Sequence, residues 1–322
     1  MKLADIYGHF QSDIKVIEKE LEETIQARHE VLRKASTDLL HAGGKRIRPV
    51  FVLLAARFGT YDIHALKHIA VSLELIHMAS LVHDDVIDDA ELRRGRKTIK
   101  SQWDNRVAMY AGDYIFAKAV QTATYFDNRS IHLIISDAIM EMCIGEVEQI
   151  RDQFNWDQNI RTYFRRIKRK TALLIAVSCK LGAIAADTSD EIQRRLYLFG
   201  YYVGMSFQIT DDILDFVGTM EQIGKPAGGD LRQGNVTLPA LYAMHQKPEL
   251  KAEIMQKLSK DQHHDDMGRI IQDIKDSGGI EYAVSISDKY LAKAFKQLDA
   301  LPDVEAKTYF LQLASYIGRR KF

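Results

Sequence analysis

Apolar residues recur every three or four positions over most of the chain: Ile14, Ile17, Leu21 and Ile25 trace one stripe, and Ala70, Leu73, His77 and Leu81 another. That period belongs to amphipathic helices, which bury one face and wet the other. Alternating apolar-polar runs and Asn-Gly or Asp-Gly hairpin pairs are scarce, which argues against a β-rich fold. Breaks at Gly43-Gly44, Gly59 to Asp62, Asp127 to Ser130, Asp187 to Asp190, Gly218 to Gly234 and Ser277 to Gly279 divide the chain into about ten or more helices. Pro49, Pro226, Pro239, Pro248 and Pro302 fall near apparent boundaries, where the missing amide proton costs least. The expected fold is all-α, a single large bundle over residues 1–322, because no low-complexity tract or Pro/Ser-rich linker marks a domain boundary.

Composition narrows the function classes. Hydrophobic residues make up 46% and charged residues 27% of the 322, enough for a substantial core under a well-solvated surface. Lys plus Arg and Asp plus Glu both total 44, so no global field favours a nucleic-acid or anionic-membrane partner. Cys143 and Cys179 stand far apart in apolar surroundings and are expected to be buried structural thiols. The start, Met1 to Thr24, has neither an apolar signal core nor an Arg-rich transit character, which points to a cytoplasmic location. Leu196 to Thr210 falls short of the roughly 20 apolar residues of a spanning helix, so no membrane span is expected.

One chemical device occurs twice. Asp84, Asp85 and Asp88 follow an apolar helical run, and Asp211, Asp212 and Asp215 repeat the spacing within Gln208 to Phe216. On a helix the first and last aspartate of each triplet lie one turn apart on one face, about 6 Å along the axis. Like charges so placed destabilise a helix unless something neutralises them, and a divalent cation would. Mg²⁺ suits: it takes oxygen ligands and is commonly held by one or two carboxylates plus substrate phosphate oxygens. A single such cluster could equally be a solvated helix face, but two copies flanked by Val, Ile, Leu and Phe favour a pair of metal platforms gripping a diphosphate.

Basic groups complete that picture. Lys45, Arg46 and Arg48 follow two glycines and precede an apolar run, a combination suited to an anion. Arg93 and Arg94 lie five and six residues beyond Asp88, within reach of a phosphate bound there. Lys170 ends a basic run just as an apolar helix begins, and Lys225 lies in a glycine-bearing loop that could close over a ligand. Arg319, Arg320 and Lys321 either cover the same mouth or form a solvated tail. His77 with Glu74 could be half of a di-iron motif, but no second Glu-x-x-His exists; His83-Asp84 superficially suggests a phosphohydrolase pair without the accompanying histidines.

The pattern Asp-Asp-x-x-Asp-x-x-x-x-Arg-Arg-Gly from Asp84 to Gly95, the Gly43 to Pro49 segment, the second aspartate cluster and the Gly224-Lys225 loop together resemble the trans-type polyprenyl diphosphate synthases. More narrowly, the chain resembles the larger, catalytic components of two-component bacterial heptaprenyl diphosphate synthases, a branch of that family whose product serves menaquinone biosynthesis. The resemblance implies a helical fold of the isoprenoid synthase type with a central apolar cavity. It implies catalysis with more than one Mg²⁺, a small non-catalytic helper subunit (component I), and a homodimer as a further option.

Carried over by position, Asp84, Asp85, Asp88, Asp211, Asp212 and Asp215 would serve the metal, with Asp84, Asp88 and Asp211 the most direct ligands. Arg93, Lys170, Gln208 and Lys225 would hold the allylic diphosphate, and Lys45, Arg48, His77 and Arg94 isopentenyl diphosphate. Gln149 and Thr171 would line the reacting centre. Asn235 departs from the family, which often has Lys there. Small Ala79 and Ser80 ahead of the first cluster would leave a tunnel open for a medium or long product, with Ile76, Phe116 and Val120 as deeper walls.

Overall fold

A computed structural model of the chain describes residues 3–93, 95–218, 227–258 and 267–318, without the side chains of residues 3–5. Among them, helix is interrupted by one two-stranded hairpin. The expected breaks fall where the sequence places them. α3 (Glu30–His41) ends before Gly43, α4 (Ile47–Ala56) before Gly59, and α7 (Asn105–Ala123) before Asp127. The chain divides into two compact units, Met1–Ile139 with Val177–Tyr197 and Leu301–Phe310, and Met140–Ala176 with Leu198–Ala300 and Leu311–Phe322.

In the first unit, α5 (Ile63–Ile87) is the central helix, packed by α2 (Gln11–Thr24), α4 and α7. Asp62 starts it as N-cap, its side chain accepting from the His64 amide at 2.9 Å. Leu66, Ile69, Ala70, Val71, Leu73, Leu75 and Ile76 are fully buried along it, each large one worth roughly 1.5–3 kcal/mol of transfer. Ser72 donates to the Ala119 carbonyl at 2.8 Å and fixes α5 against α7. By length and composition α5 could cross a membrane, which the sequence reading overlooked; 67% of its most apolar window is buried inside the protein. That burial is the reason for its apolarity.

The second unit holds α9 (Ile160–Ile167), which runs into a π-helical turn at Lys168–Ala172, and the part of α11 (Asp190–Val217) from Leu198 on. Asn159 caps α9 by accepting from the amides of Arg161 and Thr162 at 2.9 and 3.0 Å. One apolar cluster joins Tyr163, Ile167 and Ala172 to Met205, Ile209 and Ile213 of α11. A second gathers Trp156, Phe216, Leu231 and Val236 around the helices that follow. Two of these, α13 (Leu238–Gln246) and α14 (Pro248–Lys257), carry proline in the first turn, where its missing amide is harmless. Cys179 is buried as expected, but Cys143 is exposed: it lies on the outer face of α8 (Arg129–Asp152), whose apolar residues are not all turned inward.

Candidate active site

The first aspartate triplet ends α5. Asp84 is half-buried, and Asp88 is the exposed C-cap residue, its amide bonded to the Asp84 carbonyl at 2.8 Å. Asp85, 3% exposed, points elsewhere: its Oδ1 accepts from Arg93 Nε at 2.8 Å and Nη2 at 2.7 Å. Burial raises the Asp85 pKa, and Arg93 opposes that shift. Arg93 is delivered by the hairpin β1 (Leu92–Arg93) and β2 (Arg96–Lys97), turned at Gly95 with φ 75°. Thr98 ties the hairpin back by donating to the Ala90 carbonyl at 2.7 Å. A cavity of 210 Å³ beside it is lined by Asp85, Arg93, Arg96, Lys97 and Asp38 among others. Arg94 lies outside the described residues.

The glycine-arginine segment leads into α4. Arg46, in the left-handed region at φ 45°, turns inward to Glu74 at 3.2 Å and to the Leu40 carbonyl at 3.2 Å. Glu74 is therefore the buried partner of an arginine, which removes the motive for a di-iron reading. Lys45 is exposed, Arg48 half-buried, and His77 lines a crevice with Gly43, Arg46, Glu74 and Arg93. His83 faces Asp113 at 3.3 Å and the Met109 carbonyl at 3.3 Å, a tether between α5 and α7 in place of a phosphohydrolase pair. Ile76 and Ala79 are fully buried; Ser80 donates to the His77 carbonyl at 2.8 Å. Phe116 is half-buried against the His83 ring at 5.6 Å, whereas Val120 is 48% exposed.

The second triplet ends α11 and is built into a hydrogen-bond network. Asp211 is half-buried. Asp212, 3% exposed, accepts from Gln208 Nε2 at 2.9 Å and from the Tyr163 hydroxyl at 2.7 Å. Its pKa is pushed up to about 7 by burial and then by the Asp230 carboxylate, against the opposing help of Gln208 and Tyr163. Asp215 accepts at Oδ2 from the Asp230 amide at 3.1 Å, and its carbonyl from the Gly228 amide at 2.7 Å. Asn235 ties the same segment through its amide to the Asp230 carbonyl at 2.8 Å. Lys225 lies outside the described residues, as do Gly224 and the C-terminal Arg319 to Lys321.

The π-helical turn brings Thr171 into this network and sets Lys170 against Gln149. Lys170 donates to Gln149 Oε1 at 3.1 Å, and Thr171 donates to Gln208 Oε1 at 2.5 Å. A π turn re-aims side chains that an α-helix would send round its own face, and such turns are frequent at functional sites. Sequence reasoning missed the turn, Tyr163 and Asp230.

Both triplets occupy the C-terminal end of a helix that has no basic residue in its last turn. The helix dipole places partial negative charge there, so the added carboxylates favour nearby positive charge, which Arg93 supplies at Asp85. Among the described residues no group of three or more His, Cys, Asp or Glu side chains is placed to hold a metal ion by itself. An open, all-oxygen arrangement of this kind fits Mg²⁺, which fills its remaining positions with water and phosphate oxygens.

An all-α protein with two such acidic helix ends, each beside buried polar and cationic groups, is in the class that handles diphosphates through divalent cations. Residues 29–274 match the polyprenyl synthetase family, and the chain belongs to that family. It is 55% identical over 322 residues to "Heptaprenyl diphosphate synthase component 2" of Bacillus subtilis, covering 100% of this chain and 92% of that one. The crystal structure of heptaprenyl diphosphate synthase from Staphylococcus aureus superposes with a TM-score of 0.92 at 43% identity, covering 97% and 99% of the two chains. A polyprenyl synthase from Caulobacter crescentus, complexed with calcium and isoprenyl diphosphate, gives 0.92 at 28% identity over 99% and 98%.

Proposed function

We propose that the chain condenses isopentenyl diphosphate with an allylic diphosphate, farnesyl diphosphate as primer, in repeated trans additions that yield heptaprenyl diphosphate for menaquinone biosynthesis. The observation that carries this reading is the pair of aspartate triplets, each at the end of a helix with no basic residue in its own last turn. Asp84, Asp88 and Asp211, which are less buried than the middle residues Asp85 and Asp212, would hold Mg²⁺. When bound, Mg²⁺ supplies electrostatic stabilisation of the leaving diphosphate.

The chain's own groups do the rest. Lys170, half-buried beside Gln149, and Arg93 supply fixed positive charge where the allylic diphosphate gathers negative charge. Lys45, Arg48 and His77, with Arg94, take isopentenyl diphosphate. Gln149 and Thr171 line the reacting carbons, the fully buried Ala79 and Ile76 line the product path with Ser80, Phe116 and Val120, and Lys225 completes the allylic site. Burial excludes water that would capture an allylic cation. The family match draws residues from both compact units, which supports reading residues 1–322 as one functional domain. The naming of the Bacillus subtilis relative as component 2 supports a non-catalytic helper subunit, with a homodimer as the alternative assembly. The commitment of α5 to a protein core supports a cytoplasmic enzyme.

The direct test incubates purified chain with Mg²⁺, farnesyl diphosphate and labelled isopentenyl diphosphate, with and without a candidate helper. Label is expected in a polyprenyl product in at least one arm. Absence of incorporation in both, or incorporation unaffected by a chelator, would sink the proposal.

A further inference from the structure

Tyr163 is fully buried, and nothing in the sequence reading gave it a role. Its ring packs on Phe164 at 5.5 Å between centroids and beneath the Arg166 guanidinium at 5.6 Å. One turn along the same face, Arg166 reaches the Val236 carbonyl and Gln158 Oε1, the latter at 3.2 Å. The helix that carries Tyr163 is thus anchored independently, and the hydroxyl is delivered from a fixed base.

That hydroxyl donates to Asp212 Oδ2 at 2.7 Å while Oδ1 accepts from Gln208 Nε2 at 2.9 Å. Gln208 donates through its NH₂ to Asp212, so its carbonyl faces away from that carboxyl group. Thr171 Oγ1 donates to that carbonyl at 2.5 Å. The single hydroxyl proton of Thr171 is then committed, and its oxygen offers lone pairs alone to any other group. Without the Tyr163 hydroxyl, the Asp212 carboxylate loses one of its two fixed donors, and the Gln208 amide is freer to turn over.

We propose that Tyr163 is a positioning residue which sets the hydrogen-bond polarity of this network, so that Thr171 meets the reacting prenyl group as an acceptor matched to developing positive charge. The inference rests on the prenyl-transfer reading above and adds a residue to it.

Tyr163→Phe removes one oxygen and keeps the buried ring. In the assembly in which the wild-type chain is active, this change is expected to lower kcat at least about tenfold while KM for both diphosphates moves less than about threefold. Thr171→Val should do the same, Thr171→Ser should retain kcat within about threefold, and the double variant Tyr163→Phe/Thr171→Val should lose no more than Thr171→Val alone. Additive losses, or an unchanged kcat in Tyr163→Phe, overturn the proposal. A second readout needs no turnover: in metal-free protein the side-chain amide resonances of Gln208, assigned by their loss in Gln208→Met, should shift in Tyr163→Phe. Unmoved Gln208 resonances would overturn the proposal even for an inactive preparation, and an inactive wild type with moved resonances would fault the prenyl-transfer reading instead. Should Tyr163→Phe fail to fold, the Thr171→Val and Thr171→Ser pair decides, since equal kcat in both denies any role to the hydroxyl.

Discussion

At the scale of single side chains, the two aspartate triplets share a buried middle residue but differ at the last: Asp88 is exposed, whereas Asp215 is 3% exposed and accepts from the Asp230 amide. The middle residue of each, Asp85 or Asp212, is 3% exposed and held by protein donors, while Asp84, Asp88 and Asp211 are more open. Alanine at Asp84 or at Asp211 is therefore expected to cut kcat by about 10³-fold, with metal-free stability changed by no more than about 2 kcal/mol, since both side chains are half-buried. Steady-state rates and urea unfolding of each variant check the two halves of that statement. Glu74 should behave in the opposite manner. Removing it by Glu74→Ala leaves Arg46, 8% exposed, without its nearest carboxylate, and is expected to cost about 3–5 kcal/mol in the same unfolding assay. Residue type and spacing alone do not separate Arg46 from Lys45 and Arg48; only the family resemblance left Arg46 out of the isopentenyl site, and the left-handed backbone at Arg46, which turns it inward to Glu74, gives the physical reason.

At the scale of elements, periodicity made the helices and their breaks legible, because burial of one face repeats along each of them. It could not reveal the π-helical turn at Lys168–Ala172, since one wider turn leaves the apolar pattern on either side almost unchanged. Nor could it reveal the hairpin at Leu92–Lys97, whose two-residue strands are too short to alternate. The π turn also depends on close backbone packing, which composition does not show: a Cβ at Gly204 would lie 2.5 Å from Ala172 Cα. Gly204→Ala is expected to cost about 1–3 kcal/mol and to lower kcat, because Thr171 would be displaced. Gly182→Ala, whose Cβ would meet the Val52 carbonyl at 2.4 Å, is the matched control, with similar destabilisation and unaltered kcat. On α5, Ala79→Phe is expected to shorten the product as judged by chromatography. Because Ala79 is fully buried, thermal unfolding must accompany that measurement.

At the scale of the whole molecule, the unexplained surface is apolar. In the second unit α8 exposes Met140 at 55%, Ile144 at 45%, Val147 at 68% and Ile150 at 50%. The first three fall at spacings of four and three, so they form one stripe along the helix instead of scattered contacts. A stripe of this kind is expected to be covered by a protein partner. The helper subunit proposed above is one cover for it, and a second copy of the chain is the alternative, since a two-fold axis lets one face pair with itself. Val147→Lys together with Ile144→Glu would bury unpaired charge in a contact between copies, so if a second copy is the cover, sedimentation velocity is expected to show a dimeric wild type and a monomeric variant. Cys143 supplies an internal probe: it is exposed on the same helix, and the other cysteine, Cys179, is buried and silent. With a second copy as the cover, labelling of Cys143 by a maleimide should be slow in the wild type at high concentration and fast on dilution or in the charged variant. If sedimentation instead shows a wild-type monomer that labels quickly until a helper subunit is added, the stripe serves the helper and the homodimer is wrong.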